Sequence, residues 1–220
     1  MSHQLIQSED GSHTIYLPAL NETYHSTHGA LQESQHVFIK YGLEEAAKNT
    51  KELTVFEVGF GTGLNALLTL QKSIQSNLTI NYHTLEPYPL SEELVKSLNY
   101  PSFFEPDLQQ LFYKMHNSAF EEVVELTSNF RFTKYKTTLQ DFSKELKADV
   151  VYFDAFAPNK QPEVWSYSNL QKVYDLLNSH GILVSYCARG QFKRDLKALG
   201  MQVEALPGPP GKKEMTRGRK

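Results

Sequence analysis

Three glycines at alternate positions stand in Glu57-Val-Gly59-Phe-Gly61-Thr-Gly63-Leu-Asn65, directly after the apolar run Leu53 to Val58. Beyond them Leu64, Leu67, Leu68 and Leu70 recur at helical spacing, so the segment reads as strand, turn, helix. Glycines there let the backbone turn sharply and bring amide N–H groups at the helix N-terminus up to a ligand. A nucleotide-like cofactor is the implied occupant. The dinucleotide fingerprint places its third glycine one position later, where this chain has Leu64, so Gly-x-Gly-x-Gly suits S-adenosylmethionine better than nicotinamide or flavin. The same glycines would also serve a tight turn held only for packing.

Glu86 ends the next β-rich run, Leu78 to Leu85, and is followed by Pro87. An acid at that strand end is placed to accept both ribose hydroxyls of a nucleotide; its other reading is an exposed turn carboxylate. Asp141, in Leu139-Gln-Asp-Phe142, lies where such folds receive an adenine amino group, or else caps a following helix. Glu57, Gly59, Gly61, Gly63, Asn65, Glu86 and Asp141 are thus the candidate cofactor residues. A later strand delivers Asp154-Ala-Phe156-Ala-Pro158 to the carboxyl edge of the sheet, where ligands bind. A carboxylate that orients a nitrogen beside a ring that excludes water suits methyl transfer to an amine, which makes Asp154 and Phe156 the catalytic candidates. Core packing is the plain alternative for Phe156.

The elements that must position these residues alternate between short apolar strands and helical stretches from about Leu53 onward. The expected fold is α/β and Rossmann-like: a mostly parallel seven-stranded sheet with an antiparallel edge hairpin. Its strands are expected at Leu53–Val58, Leu78–Leu85, Phe130–Lys136, Val150–Phe153, Ile182–Tyr186, Met201–Leu206 and near Lys213–Arg217, with the last two forming the hairpin. A mostly helical insert is expected from Ser91 to about Leu126, and helices from about Glu163 to Asn178 and near Gln191 to Leu199. Residues 1–50 are expected to form a lid, in which Thr14–Leu17 pairs with Glu22–His25 ahead of a helix, and residues 51–220 the cofactor-binding domain.

With 220 residues, the chain is sized for one well-filled domain with a short appendage. Hydrophobic residues make up 40% and no run of eighteen apolar positions occurs, which excludes disorder and argues against a membrane span. The first residues lack a basic segment followed by an apolar one, so a cytosolic location is expected. Cys187, the single cysteine, excludes an internal disulfide and a cysteine-rich zinc cluster. His25, His28 and His36 show no metal-ligand spacing, and no metal is assigned. The net charge of -3 conceals an asymmetry: from Arg189 to Lys220 nine Lys and Arg face only Asp195, Glu204 and Glu214. That strip is either a phosphate-facing surface or a solvated tail.

Taken together, Glu57 to Asn65, Glu86-Pro87, Asp154 to Pro158 with Pro162-Glu-Val-Trp165 after it, and Gly211-Lys-Lys-Glu-Met215 resemble the methyltransferase domain of the MnmC family, which also occurs as the stand-alone form MnmD. The resemblance extends from about Tyr24 to Arg217 and includes Tyr41-Gly-Leu43. It implies a class I methyltransferase that uses S-adenosylmethionine to convert 5-aminomethyl-2-thiouridine at the tRNA wobble position to 5-methylaminomethyl-2-thiouridine. Position by position, it implies that Gly59, Gly61 and Gly63 hold the cofactor's methionine part, Glu86 the ribose and Asp154 the amine. Gly190-Gln-Phe-Lys-Arg194 also resembles a family segment, and RNA phosphates are expected at Arg189, Lys193, Arg194, Lys212, Lys213 and Arg217. Two-domain family members continue into a flavin-dependent oxidase, so a separate enzyme is expected to supply the aminomethyl group here. The alternatives are a methyltransferase of small-molecule amines, a nicotinamide-dependent oxidoreductase and a non-enzymatic RNA-binding module.

Overall fold

The computed structural model describes residues 3–220. The chain begins with a small antiparallel sheet, β1 (Gln4–Gln7), β2 (His13–Leu17) and β3 (Glu22–Thr23), in that order. A continuous helical rod follows: α1 (Ala30–Ser34), a π-helical segment Gln35–Leu43 and α2 (Glu44–Ala46). The main elements are then β4 (Glu52–Val58), α3 (Leu64–Ser76), β5 (Thr79–Leu85), α4 (Glu92–Ser97), α5 (Pro106–Asn117), β6 (Val123–Thr127), β7 (Phe130–Tyr135), β8 (Ala148–Phe153), α6 (Tyr167–Leu176), β9 (Leu177–Ser185), α7 (Gly190–Ala198), β10 (Gln202–Pro207) and β11 (Glu214–Arg219).

The large sheet runs β10-β11-β9-β8-β4-β5-β7-β6. Strands β9, β8, β4, β5 and β7 are parallel neighbours, while β11 pairs antiparallel with both β9 and β10. The central parallel strands β4 and β8 are buried on both faces, hence the near-continuous apolar runs Val55–Val58 and Val150–Phe153. One face packs Val37, Phe38, Ile39 and Leu43 of the rod together with α3 and α5; the other packs α6 and α7 through Leu170, Val173, Phe192 and Leu196. The rod shares its core with the sheet, and the β1–β3 sheet joins the same core through Ile15 of β2, with hydrogen bonds fastening its turns. Asn99 accepts the His13 N–H at 2.8 Å and donates to Gly11 O at 2.8 Å. His25 Nε2 lies 2.7 Å from Thr62 Oγ1.

Three features differ from the expectations. An eighth strand, β6, pairs antiparallel with β7 and ends the sheet on that side; Val123-Val-Glu-Leu-Thr127 had fallen at the end of the expected helical insert. The final strand is interior: β11 lies between β10 and β9, with Met215 and Thr216 fully buried, so the basic C-terminal stretch is a sheet strand and no free tail. Helix α6 starts only at Tyr167, where the Ser166 hydroxyl accepts the Asn169 N–H, because the residues from Pro162 to Trp165 form turns.

Candidate active site

The chain direction around the sheet reverses between β4 and β8, the position at which open α/β sheets present ligands. Both strands end there, β4 in the glycine loop and β8 in Asp154. A cavity of about 560 Å³ opens above them, of the size that holds a nucleotide-like ligand. Its floor is Gly59–Thr62, Leu85–Tyr88, Thr137–Gln140 and Asp154–Ala157; its roof is Glu22–Thr27 with Glu33, from the N-terminal segment.

The glycine loop is shaped by contacts that side chains would prevent. Gly59 has φ +95°, and a Cβ there would stand 2.5 Å from Asp154 O; Gly61 has φ +49°, and its Cβ would lie 2.9 Å from the Tyr24 ring. The loop therefore sits directly against the β8 turn on one side and the roof on the other. Gly61 donates its N–H to Glu86 Oε2 at 2.7 Å, and Tyr88 N–H reaches Glu86 Oε1 at 2.8 Å. Glu86 is 7% exposed; burial pushes its carboxyl up, and these two N–H groups and Lys134 oppose the shift. Each oxygen retains a lone pair for a hydroxyl donor in the cavity.

Asp154 faces the same space. Its Oδ2 accepts from Asn65 Nδ2 at 2.8 Å, and the same amide donates to Glu57 Oε1 at 3.1 Å. Thr84 Oγ1 donates to the other Glu57 oxygen at 2.7 Å. Burial raises Asp154 to about 7, helped by the Glu33 charge and opposed by Asn65 and Lys212. Burial raises Glu57 to about 8, with the Asp154 charge acting in the same direction. Glu57, Asn65 and Gly63 do not line the cavity; they form the layer that fixes Asp154 and the glycine turn from behind.

Phe156 is held at both ends of its peptide unit. Its N–H donates to Gln161 Oε1 at 3.2 Å, and its carbonyl accepts from Trp165 Nε1 at 2.8 Å. This is the physical content of an Asp-Ala-Phe-Ala-Pro segment followed by Pro-Glu-Val-Trp: the second motif locks the first. The Phe156 ring meets the Tyr24 ring edge-on at 5.0 Å, closing one wall against water.

Several expected residues are placed differently. Asp141 is exposed, bonds to Thr138 Oγ1 and precedes no helix; its neighbour Gln140 lines the cavity instead, with Oε1 buried and unpartnered. Arg217 is 7% exposed and gripped by Glu204 at 2.6 Å, with Glu45 at 3.5 Å, so it presents no face to a phosphate. Lys212 points into the cavity wall and pairs with Glu33, and Lys193 pairs with Glu214 at 2.7 Å. Arg189, Arg194 and Lys213 remain exposed. His25, His28 and His36 turn separately to Thr62, Glu9 and Pro207 O; burial holds His25 down at about 4 and therefore neutral near pH 7. Sequence reasoning missed Tyr24, Glu33, Gln140, Gln161 and Tyr186. Of these, only Gln161 carried a local signal, its place just before Pro162-Glu-Val-Trp165.

The chain is 30% identical over 228 residues to the "tRNA 5-methylaminomethyl-2-thiouridine biosynthesis bifunctional protein MnmC" of Cupriavidus metallidurans, covering 97% of this chain and 33% of that protein. The protein of that name from Azoarcus sp. is 28% identical over 229 residues, covering 96% and 34%. The chain thus spans about a third of the length of these curated relatives. Among solved structures, MNMC2 from Aquifex aeolicus shares the fold at a TM-score of 0.81 and 24% identity, covering 99% of this chain and 70% of that one. Spermidine synthase from Thermotoga maritima shares it at 0.54 and 11% identity, covering 99% and 68%. The sequence model of a family described as S-adenosyl-L-methionine-dependent methyltransferase matches residues 103–220, more than half of the chain. That match includes β8 and the Asp154 turn: the chain belongs to the S-adenosyl-L-methionine-dependent methyltransferase family.

Proposed function

We propose that the protein methylates the exocyclic amine of 5-aminomethyl-2-thiouridine at the wobble position of tRNA, in the cytosol. The observation that carries this reading is Asp154, a cavity carboxylate tuned to about 7 and walled by aromatic rings. The names of the relatives that align along nearly the whole chain support the choice of substrate.

The cavity fits the cofactor on three counts: a loop that no Cβ could occupy at Gly59 or Gly61, a buried carboxylate with free lone pairs at Glu86, and the unpartnered acceptor Gln140 Oε1. In this assignment the loop holds the methionine part, Glu86 the ribose hydroxyls and Gln140 the adenine amino group. When bound, S-adenosylmethionine supplies an electrophilic methyl group on a positively charged sulfur.

The chain must then present a neutral amine, because a protonated one has no lone pair. Asp154 accepts an N–H of the amine, aims the lone pair and takes the proton that the nitrogen sheds as the new N–C bond forms. A carboxyl near 7 accepts that proton readily and returns it to water at neutral pH. Asn65 fixes the carboxylate's orientation from behind, while Phe156 and Tyr24 limit water at the reacting centre. Of the residues expected to meet RNA phosphates, Arg189, Arg194 and Lys213 are exposed and available for them.

The test is transfer of labelled methyl from S-adenosylmethionine to tRNA bearing the aminomethyl group, compared with the same tRNA lacking it. Transfer only to the first, with affinity that falls steeply as salt rises, supports the proposal. Transfer to free alkylamines but to neither tRNA replaces it with a small-molecule methyltransferase.

A further inference from the structure

Lys212 enters the site from the far end of the chain. The turn between β10 and β11 is closed by the Lys212 N–H on Pro209 O at 2.9 Å and is held to the helical rod by His36 Nε2 on Pro207 O at 2.8 Å. It lays the lysine side chain against Glu33, 179 positions earlier. The ammonium donates to Glu33 Oε1 and stands 3.9 Å from the centre of the Tyr186 ring.

Both partners are themselves fixed. Glu33 is 5% exposed, and its other oxygen receives the Ser26 N–H at 2.8 Å; the Tyr186 hydroxyl donates to Ala155 O at 2.8 Å. A buried carboxylate and an aromatic face around one ammonium form the arrangement that recognises alkylammonium ions. Glu33, Tyr186 and Lys212 line the same cavity as Asp154, near enough for the charges of Glu33 and Lys212 to act on it. Lys212 and Tyr186 also line a second cleft of about 490 Å³, whose other walls include Arg189 and Lys213. The Lys212 side chain is thus part of the partition between a methyl-transfer cavity and a basic outer cleft.

We propose that Glu33 and the Tyr186 ring are the seat for the ammonium group of the incoming substrate, and that Lys212 is an internal surrogate which the substrate displaces toward the outer cleft. This deepens the reading above and rests on its alkylamine acceptor: an aminomethyl group and a lysine end are both primary ammonium groups on a CH₂. Glu33 then receives the cation, which loses a proton to water to give the neutral amine, and Asp154 takes the second proton as the new N–C bond forms. Once displaced, Lys212 joins Arg189 and Lys213 in the cleft that a flanking phosphate would enter.

The full chain, saturated with S-adenosylhomocysteine, is titrated calorimetrically with 5-aminomethyluridine and with 5-methyluridine, which lacks the amine. Lys212→Met keeps the side-chain length and removes the charge. It is expected to bind the aminomethyl nucleoside about tenfold more tightly than the wild type, with 5-methyluridine unchanged and the gain cancelled when Glu33→Gln is added. Lys212→Gln repeats the comparison with a polar side chain, so that a packing defect of methionine is recognised. Equal affinity in wild type and both variants, including no binding by any of them, overturns the proposal. So does a gain that survives Glu33→Gln or appears equally for 5-methyluridine. Methyl transfer to tRNA by the wild type, measured alongside, reports on the proposed function separately: if that transfer fails while the calorimetric pattern holds, the tRNA substrate is lost and the ammonium seat stands.

Discussion

Asp154 makes the sharpest prediction because its environment sets a pH at which activity must change. Burial is the largest cause of its rise to about 7, and Glu33 is the second. As the proton acceptor, Asp154 must be ionised, which holds for roughly a tenth of molecules at pH 6 and nine-tenths at pH 8. Single-turnover methyl transfer should therefore climb about eight- to tenfold over that interval. The substrate amine titrates as well, so the comparison is with Asp154→Asn: this variant should lose about 10²- to 10⁴-fold in turnover, keep its affinity for S-adenosylhomocysteine, and retain only the limb belonging to the amine. The neighbouring charges fix the signs of two further shifts. Glu33→Gln removes a charge that raises Asp154, so the limb moves to lower pH; Lys212→Met removes a charge that lowers it, so the limb moves to higher pH. A rate that is flat between pH 6 and 8 in the wild type, or a profile unchanged in Asp154→Asn, would refute the reasoning.

Other substitutions probe the layers around that carboxylate. Glu57 has a folded value of about 8 against its ordinary 4.5, so the wild type loses stability as pH rises from 4.5 through 8, by on the order of a few kcal/mol, whereas Glu57→Gln should show a smaller loss, the part that Asp154 still causes, in melts at pH 5, 7 and 9. Gln140→Leu should weaken S-adenosylhomocysteine binding about three- to tenfold by calorimetry, while the exposed Asp141→Ala leaves it unchanged; the reverse order would restore Asp141 to the adenine site. Gly61→Ala should abolish measurable cofactor binding, since its Cβ would lie 2.9 Å from the Tyr24 ring at a φ of +49°; full binding would show that the loop yields. Arg217→Met should lower stability by on the order of 1–3 kcal/mol without altering the salt dependence of tRNA binding, whereas Arg194→Ala should reduce that dependence and leave the melting temperature alone.

What was legible in the sequence was local. Gly59-x-Gly-x-Gly63, Glu86-Pro87 and Asp154-Ala-Phe-Ala-Pro158 are contiguous segments at strand ends, where short range alone dictates a turn, a close approach or a strand terminus. The central strands β4 and β8 announce themselves because burial on both faces demands nearly unbroken apolar runs. Strand β6 does not, since it is an edge strand with only Leu126 buried, and Glu125 breaks its apolar run. Lys212 and Arg217 look in sequence like two members of a basic stretch. Their actual roles depend on Glu33 and Glu45, contributed by the helical rod at the opposite end of the chain. The same distance hid Tyr24, Glu33 and Tyr186: none lies in a motif, and the roof over the cavity exists only after residues 22–33 fold back onto the sheet edge. Asp141 shows the limit of single-residue spacing: the turn at Thr138 holds Asp141 exposed, while its neighbour Gln140 lines the cavity.

The central claim is that this cavity joins a methyl group to the side-chain nitrogen of a wobble uridine. Its most direct measurement is mass spectrometry of nucleosides from tRNA bearing 5-aminomethyl-2-thiouridine, after incubation with the purified chain and S-adenosylmethionine. The account predicts that this nucleoside gains a single methyl group, that fragmentation locates it on the exocyclic nitrogen, and that Asp154→Asn does not produce it. A methyl group on a ring atom, on a ribose, on another nucleoside or on none would contradict it.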